Sequence, residues 1–519
     1  MNASGAHVTS EIEEKFDLPH RRWVVPELAG VGRIRRSGPV RRPHLDATYF
    51  DTAGRALAGA GITVRRRTGG DDEGWHVKLR AVKGARTEVQ FPLGRAVRRP
   101  PAAIQRLLTA PTAGASMRPI ATITTDRRTL PLLADDGRVL ADLVDDRVTA
   151  SAAGAPAVLR WRELEVELVE GDGDDLAAIG AALIAAGARP SDVAAKLERV
   201  LPPPPHPPTA RLDRGATVGE LITAFLAAQL DAIVASDPLA RVDAPDAIHK
   251  VRVASRRTRS ALAAFRRHLD RAATDPIRDE LRWLGQELGA ARDSEVIRDR
   301  LLAALDDAGQ DPGLDAADVA AARAMVERTM ATRFGSDHVR AVVALDSARY
   351  ARLLQTLRDA AAGKVLSGRH LDKRAGKALW RDVRRAQRRV ERELDDLDAI
   401  GVGDADHRPA ATSELDITEK LHEVRKAAKR VRYSAEAVAG VYGHRAEELA
   451  ADREALQEAL GDRQDAAVAG DVLIALASSA SPDTAFVLGH LHGREQARGD
   501  AATAAATPLL DALRKGKRE

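Results

Sequence analysis

Residues 202–208 read Pro-Pro-Pro-Pro-His-Pro-Pro, six prolines in seven positions. Proline lacks an amide hydrogen and its ring clashes with the preceding helical turn, so this stretch is an extended spacer, neither helix nor central strand. It forbids one continuous fold across the 519 residues. Before it, segments alternate polar and apolar residues with period two and are broken by Gly, Pro and Asp. After it, amphipathic helical patterns run almost to the end. The expected organisation is multidomain α+β: a β-rich unit at 1–201, a proline-rich linker at 202–212 and an all-α unit at 213–512.

The helical half carries the same pattern twice. His249, Arg252, Arg256 and Arg259 recur as His422, Arg425, Lys429 and Arg432, at offsets of three, seven and ten residues. On an α-helix these offsets span an arc of about 80° and about 15 Å of axis. The opposite face is small or apolar in both copies: Val251, Ala254, Thr258 and Phe265 against Val424, Ala427, Val431 and Val438. Each copy should therefore pack one face into a core and present a cationic ladder on the other, broadened by Lys250, Arg257, Lys426 and Arg430. A second matched pair follows, Leu288-Gly289-x-x-Arg292-Asp293 and Leu460-Gly461-x-x-Gln464-Asp465. Two copies of a helix-plus-motif unit, about 213–310 and 370–480, indicate internal duplication. A solvated helix face is the plain alternative, but a ladder repeated without a run of acidic partners on the same face favours a flexible polyanion, and the lack of interleaved aromatics disfavours stacked bases. Arginine forks and lysine points are the usual phosphate binders.

Charge and composition bound the rest. Lys and Arg total 80 against 76 Asp and Glu, so anion affinity must come from local clustering. There is no cysteine, which excludes disulfides and thiolate metal sites. The N-terminus has no apolar signal core and no apolar run reads as membrane-spanning, so a cytoplasmic protein without a membrane partner is expected.

The N-terminal strands carry one apolar and one charged face each. Glu11, Glu13 and Lys15 share a face, as do Arg65 and Arg67, then His76, Lys78 and Arg80, then Arg86 and Glu88. Glu163, Glu165 and Glu167 lie opposite Leu164, Val166 and Leu168. A solvated sheet face explains any single strand. Signs that segregate by strand fit better a barrel with a charged bore, in which cations grip phosphates and carboxylates grip a divalent metal.

Glu11-x-Glu13-x-Lys15 resembles the opening signature of the CYTH domain, the triphosphate tunnel metalloenzyme fold. Tyr49-Phe-Asp-Thr52, Arg65-x-Arg67, Gly74-Trp-His-Val-Lys78, Asp142, Glu165-x-Glu167 and Lys196 match the family's later segments in order, over about residues 6–200. The resemblance implies a closed antiparallel β-barrel tunnel with flanking helices that hydrolyses or cyclises a triphosphate with Mg²⁺ or Mn²⁺. It implies Glu11, Glu13, Asp142, Glu165 and Glu167 as metal ligands. Lys15, Arg65, Arg67, Lys78, Arg80, Arg127, Arg128 and Lys196 would bind the triphosphate, and Glu11, Glu13 and Lys15 would be catalytic. Lys15 is read as a phosphate ligand first and a general base second. Thr125 stands where the family carries a basic residue; Arg127 and Arg128 point to opposite faces, and Arg127 is preferred for the bore. Hydrolysis is preferred over cyclisation because no segment reads as an adenine or ribose pocket. The basic insertion between Arg33 and Arg42 has no assigned role.

The helical half resembles the CHAD domain, two pseudo-symmetric helical bundles with a conserved histidine. His249, Arg252, Arg256 and Arg259, with His422, Arg425, Lys429 and Arg432, carry the likeness. It implies binding of inorganic polyphosphate in a basic channel between the halves, through these residues and Lys250, Arg257, Lys426 and Arg430. Lys429 and Gln464 depart from the pattern of the first copy. Lys373, Lys377, Arg381, Arg384 and Arg388 form another basic stripe, either an extension of the ladder or a section of a mixed-charge helix.

Both halves together suggest a protein that binds polyphosphate on its helices and hydrolyses a triphosphate or polyphosphate end in its tunnel. The alternatives are a non-catalytic scaffold or sensor at polyphosphate granules and, further off, a nucleic-acid binder.

Overall fold

The computed structural model describes residues 6–80, 86–204, 212–213, 215–364, 366–368, 371–400 and 414–516. Most of the proline run (205–208), the loop at 401–404 and the side chain of Lys377 lie outside the described residues. The chain divides into two compact units, 1–208 with 237–244, and 209–236 with 245–519.

The first unit is one antiparallel sheet of eleven strands. In chain order these are β1 (His7–Glu11), β2 (Glu13–Asp17), β3 (Arg36–Ser37), β4 (His44–Asp51), β5 (Thr63–Thr68), β6 (Gly74–Lys78), β7 (Arg86–Phe91), β8 (Arg118–Leu133), β9 (Val139–Ala152), β10 (Val158–Leu168) and β11 (Arg189–Pro190). Their order is β1-β7-β6-β5-β4-β8-β9-β10-β2-β11, with β3 added beside β8. The expected closed barrel is thereby corrected to a curled, open sheet, since among the described residues no hydrogen-bonded ladder joins its two ends. The ends meet covalently instead. The N-terminal stretch leaves β7 at Glu11, turns at the exposed Ile12, and enters the other edge beside β10 at Glu13.

Short helices flank the sheet: α1 (Ala56–Gly59), α2 (Ala102–Leu107), α3 (Thr109–Thr112), α4 (Gly173–Ala185) and α5 (Lys196–Val200). The apolar faces of β2, β8, β9 and β10 pack on α4 through Phe16, Leu132, Leu143, Leu164, Val166, Ile179 and Leu183. Full burial of such side chains contributes about 1.5–3 kcal/mol each, which binds the sheet's outer face and leaves the opposite residues of each strand to line the interior. Asp172 caps α4, accepting from the amides of Asp174 and Asp175, and Asp175 completes the capping box. Arg33 ion-pairs with both Asp172 and Asp175. The start of the basic insertion is thus a clamp on this helix.

The second unit is all-α: α6 (Val218–Arg241), α7 (Ala247–Ala264), α8 (Arg271–Glu287), α9 (Gly289–Ala308), α10 (Ala316–Leu345), α11 (Ala348–Ala361), α12 (Ala375–Ala399), α13 (Glu414–Tyr442), α14 (His444–Ala477) and α15 (Pro482–Gly516). The repeated sequence motifs fall on α7 and the α8–α9 junction in the first copy and on α13 and α14 in the second. What is two helices in the first copy, interrupted at Leu288, is one continuous helix in the second. Thr217 and Glu220 form the expected capping box, with Thr217 N donating to Glu220 at 2.8 Å and Glu220 N to Thr217 Oγ1 at 3.2 Å. Pro238 does not stop α6, which continues to Arg241. A short break separates α10 from α11, where Ser347 caps α11 by accepting from Tyr350 N at 3.1 Å.

One described helix, α6, is long and apolar enough to cross a membrane by length and composition, correcting the expectation that no run is. Its apolar side chains Leu221, Ile222, Leu226 and Ile233 are buried within the protein.

Candidate functional site

Strand register explains the charged interior of the sheet. Across β2 and β10, Lys15 faces Glu165 and Glu13 faces Glu167. Across β9 and β10, Asp146 faces Glu163, and across β8 and β9, Arg127 faces Asp146. On the other wall Lys78 faces Glu88, while Arg65 and Arg67 lie on the inward side of β5. Lys196, the first residue of α5, completes the ring. All of these except Asp146 and Glu163 line, with Glu11, Tyr49 and Arg86, a cavity of about 80 Å³.

The ionic contacts are dense. Lys196 Nζ is 2.9 Å from Asp146 and 2.8 Å from both Glu163 and Glu165. Arg127 reaches Asp146 at 2.7 Å, Glu165 at 3.1 Å and Glu167 at 3.6 Å. Lys15 contacts Glu13 at 3.1 Å and also Glu165. Lys78 is 2.5 Å from Glu11 and 3.5 Å from Glu88, and His76 is 2.5 Å from Glu88. Burying these charges is tolerable only because each has opposite partners.

Their titration reflects that balance. Burial would raise Glu165, yet Lys196, Lys15 and Arg127 hold it well below the usual carboxylate range. Burial raises Glu167, opposed by Arg127 and reinforced by Glu165. His76 is pushed down to about 4, by burial and then by Arg65 and Arg67 against the pull of Glu88, so it is neutral at neutral pH. Arg67 is pushed down to about 9 by burial, Arg65 and Arg127. Arg67 is nevertheless ion-paired with Asp72.

Acceptor oxygens of Glu13, Glu165 and Glu167 all lie within 4.8 Å of one another. Like charges directly opposite on neighbouring strands, as Glu13 and Glu167 are, destabilise a sheet unless a cation lies between them. An all-oxygen donor set suits Mg²⁺ or Mn²⁺. The residues fit a hard divalent metal.

In the helical unit α7 and α13 are neighbours, and their predicted apolar faces are buried: Val251, Ala254, Thr258 and Phe265, and Val424, Ala427, Val431 and Val438, are each no more than 2% exposed, with Val424, Ala427 and Val431 packed into a core with α12, α14 and α15. The ladders remain half-exposed. Arg256 Nε donates to Tyr433 Oη at 2.8 Å, and the guanidinium groups of Arg256 and Arg432 stand 5.6 and 5.5 Å from the Tyr433 ring. Burial followed by Arg425, Arg256 and Arg252, against Asp465, pushes Lys429 down to about 7. Burial also lowers Arg259, with Arg282, Arg256, Arg278 and Arg430 adding to the effect. Cations from both copies therefore depress one another across a shared surface.

A CYTH domain profile matches residues 11–192 and a CHAD domain profile residues 224–474. Two Mycobacterium tuberculosis relatives, the uncharacterized proteins MT2285 and Rv2226, are 34% identical over 532 residues, covering 97% of this chain and 96% of theirs. The chain belongs to the CYTH–CHAD family. Among solved structures it is similar to PptA from Streptomyces chartreusis, with 23% identity, 57% of this chain and 100% of that one covered, and a TM-score of 0.45. It is also similar to the CHAD domain of the plant Ricinus communis, with 29% identity, coverage of 59% and 93%, and a TM-score of 0.41. Its two domains are those of triphosphate-tunnel and polyphosphate-related function, and CYTH members are metal-dependent triphosphatases or cyclases.

The CYTH–CHAD frame brings together Glu11, Glu13, Lys15, Arg65, Arg67, Lys78, Arg127, Glu165, Glu167 and Lys196. It leaves out three expected residues. Arg80 lies beyond the end of β6, exposed, with its side chain against Gly61. Arg128 is exposed on the outer face. Asp142 pairs with Arg41 of the insertion at 2.9 Å instead of joining the carboxylate group. Glu11 lines the cavity but is outside the converging triad; burial and then Glu88 push it up to about 7, against Lys78. Asp146, fully buried, is a site residue that sequence reading missed, and Glu163 and Glu88 were placed on charged strand faces but given no role. Asp146 lies on the same face of β9 as Asp142, four residues on.

The ladders differ from expectation in their partners. Arg257 pairs with Glu436 at 2.8 Å, Arg432 with Glu436 at 2.9 Å and with Glu454, and Lys426 with Glu423 at 2.7 Å. Arg252 reaches Asp293 at 3.8 Å. Among the described residues Arg256, Arg259, Arg425, Lys429 and Arg430 make no ion pair closer than 4 Å, and they are flanked by Lys250 and by His249 and His422, whose imidazoles burial lowers. Lys373 precedes α12, and Arg381, Arg384 and Arg388 are exposed along it, interspersed with ion pairs such as Arg385–Asp382 at 2.9 Å and Arg389–Glu393 at 3.4 Å.

Proposed function

We propose that this chain binds inorganic polyphosphate along the paired ladders of α7 and α13 and hydrolyses a triphosphate, or the end of a polyphosphate chain, in the sheet interior with Mg²⁺ or Mn²⁺. The observation that carries the reading is the carboxylate triad Glu13, Glu165 and Glu167 set against the cation wall of Arg65, Arg67, Lys78, Arg127 and Lys196. When bound, the metal supplies Lewis-acid polarisation of a phosphoryl oxygen. The arginines and lysines neutralise the non-bridging oxygens and the charge that grows on the leaving oxygen, and because they are held by rigid strands they need no reorganisation as it grows. Lys15, fixed between Glu13 and Glu165, orients the terminal phosphate. An anion entering here replaces the carboxylate partners that the cations now share.

The helices would raise the local concentration of chain ends for the tunnel, as linked sites do. In the full-length protein, phosphate release from inorganic triphosphate should require Glu13, while retention on immobilised long-chain polyphosphate should weaken when Arg252, Arg425 and Lys429 are replaced. Release that survives Glu13→Gln, or retention undiminished by Arg252→Gln/Arg425→Gln/Lys429→Gln, would contradict the respective half.

A further inference from the structure

The wall that carries Arg127, Asp146 and Glu163 inward carries Arg128, Arg147 and Arg162 outward. Over this outer face lie residues 21–25 and 42–44, and together they enclose a cleft of about 600 Å³. Its acidic groups are already consumed: Arg162 holds Asp145 through contacts of 2.7 and 2.9 Å, and His44 holds Asp126 at 2.7 Å. Arg22, Arg42, Arg128 and Arg147 are exposed and have no carboxylate partner among the described residues. Arg147 moreover stands directly opposite Arg162 across β9 and β10. Two cations facing each other on adjacent strands destabilise the sheet; Arg162 is spent on Asp145 and on the carbonyls of Arg21 and Trp23, at 3.1 and 2.6 Å, whereas Arg147 has no ion pair among the described residues.

We propose that this cleft is a second polyanion site, separate from the tunnel interior and from the ladders, that takes consecutive phosphates of an inorganic polyphosphate chain. Guanidinium forks on rigid strands match phosphate oxygens. The cleft offers no aromatic platform for bases, since Trp23 is 7% exposed and spends its indole N–H on Ala186 O at 2.8 Å. Only the identity of the ligand rests on the polyphosphate reading above; the site itself rests on the four unpaired arginines.

The chain has no cysteine, so Val24→Cys, at a cleft residue 79% exposed, gives one thiol for an environment-sensitive fluorophore. The labelled full-length protein is titrated at fixed salt with linear polyphosphate and with single-stranded RNA of equal charge. The label should respond to polyphosphate with the same half-saturation in the Arg252→Gln/Arg425→Gln/Lys429→Gln background. Arg42→Ala/Arg128→Ala/Arg147→Ala should weaken it about tenfold or more, the loss expected when several phosphate contacts go. A silent label, or a response that vanishes with the ladder substitutions, overturns the cleft. An equal or stronger response to RNA overturns the ligand class. Failure of the ladder reading is seen separately, as retention on immobilised polyphosphate that the ladder substitutions leave unchanged in the Arg42→Ala/Arg128→Ala/Arg147→Ala background.

Discussion

Arg425 lies across Gly461: a methyl group on that glycine would stand 2.7 Å from Arg425 Nη2. The first copy repeats the arrangement, with Arg252 Nη1 2.9 Å from the same position on Gly289. The matched Leu-Gly-x-x-Arg/Gln-Asp motifs are thus seats for the ladder arginines, and the aspartates at their ends, Asp293 and Asp465, face the same two guanidinium groups.

Gly461 lies inside α14, where glycine is about 1 kcal/mol less favourable than alanine. Gly461→Ala should therefore leave thermal stability equal or higher, because only the mobile end of Arg425 must move, while polyphosphate affinity falls several-fold. Thermal unfolding and binding measured on the same preparation check this; a parallel loss of both would make the glycine a packing residue.

The depressed Lys429 ammonium predicts a pH dependence. In the free folded protein it titrates near 7, by burial and its arginine neighbours, against an ordinary lysine value of 10.5. Since the folded value lies below the unfolded one, the charged form is penalised in the folded state. That penalty is full below pH 7 and is relieved as pH rises from 7 towards 10.5, where the folded protein gains stability. A bound polyanion favours the charged form, so above pH 7 binding takes up a proton and affinity falls, by at most about tenfold per pH unit. Titrations between pH 6 and 9 at constant ionic strength should show this decline, and Lys429→Arg should flatten it.

Asp146 is fully buried between Arg127 and Lys196. Asp146→Asn keeps the shape and removes the charge, and loss of one partner from a buried ionic group costs about 3–5 kcal/mol. The denaturant midpoint of the N-terminal unit should fall accordingly, with polyphosphate retention by the helices unchanged.

Neighbouring residues separate the two faces of β8. Arg127→Gln should lower metal-dependent turnover about a hundredfold or more, the scale for losing a charge-stabilising donor. Arg128→Gln and Arg80→Gln should leave turnover of inorganic triphosphate within about twofold, since both are exposed outside the cavity. Steady-state rates with saturating metal distinguish them.

How far the sequence carried the site follows from these residues. Period-two alternation picks the inward face wherever a strand persists, which is why Glu13, Lys15, Arg65, Arg67, Glu165 and Glu167 converge. It misleads at Arg80 because β6 ends at Lys78, and the family likeness that suggested Asp142 could not reveal that Arg41, one hundred and one residues away, takes its carboxylate. Helical spacing identified both ladders and their buried faces. It could not show that Glu436 and Glu454 neutralise Arg257 and Arg432, since those contacts depend on how helices pack. The open sheet also escapes local reading. Whether the ends of a sheet hydrogen-bond is decided by the turn at Ile12, not by any strand's own pattern.

The account stands most directly on one measurement: phosphate release from inorganic triphosphate by the full-length protein, with and without Mg²⁺ or Mn²⁺, beside its Glu165→Gln variant. Release that needs the metal and is lost with Glu165 is the predicted result. Metal-independent release, release equal in the variant, or none at all in the native protein would contradict a catalytic tunnel.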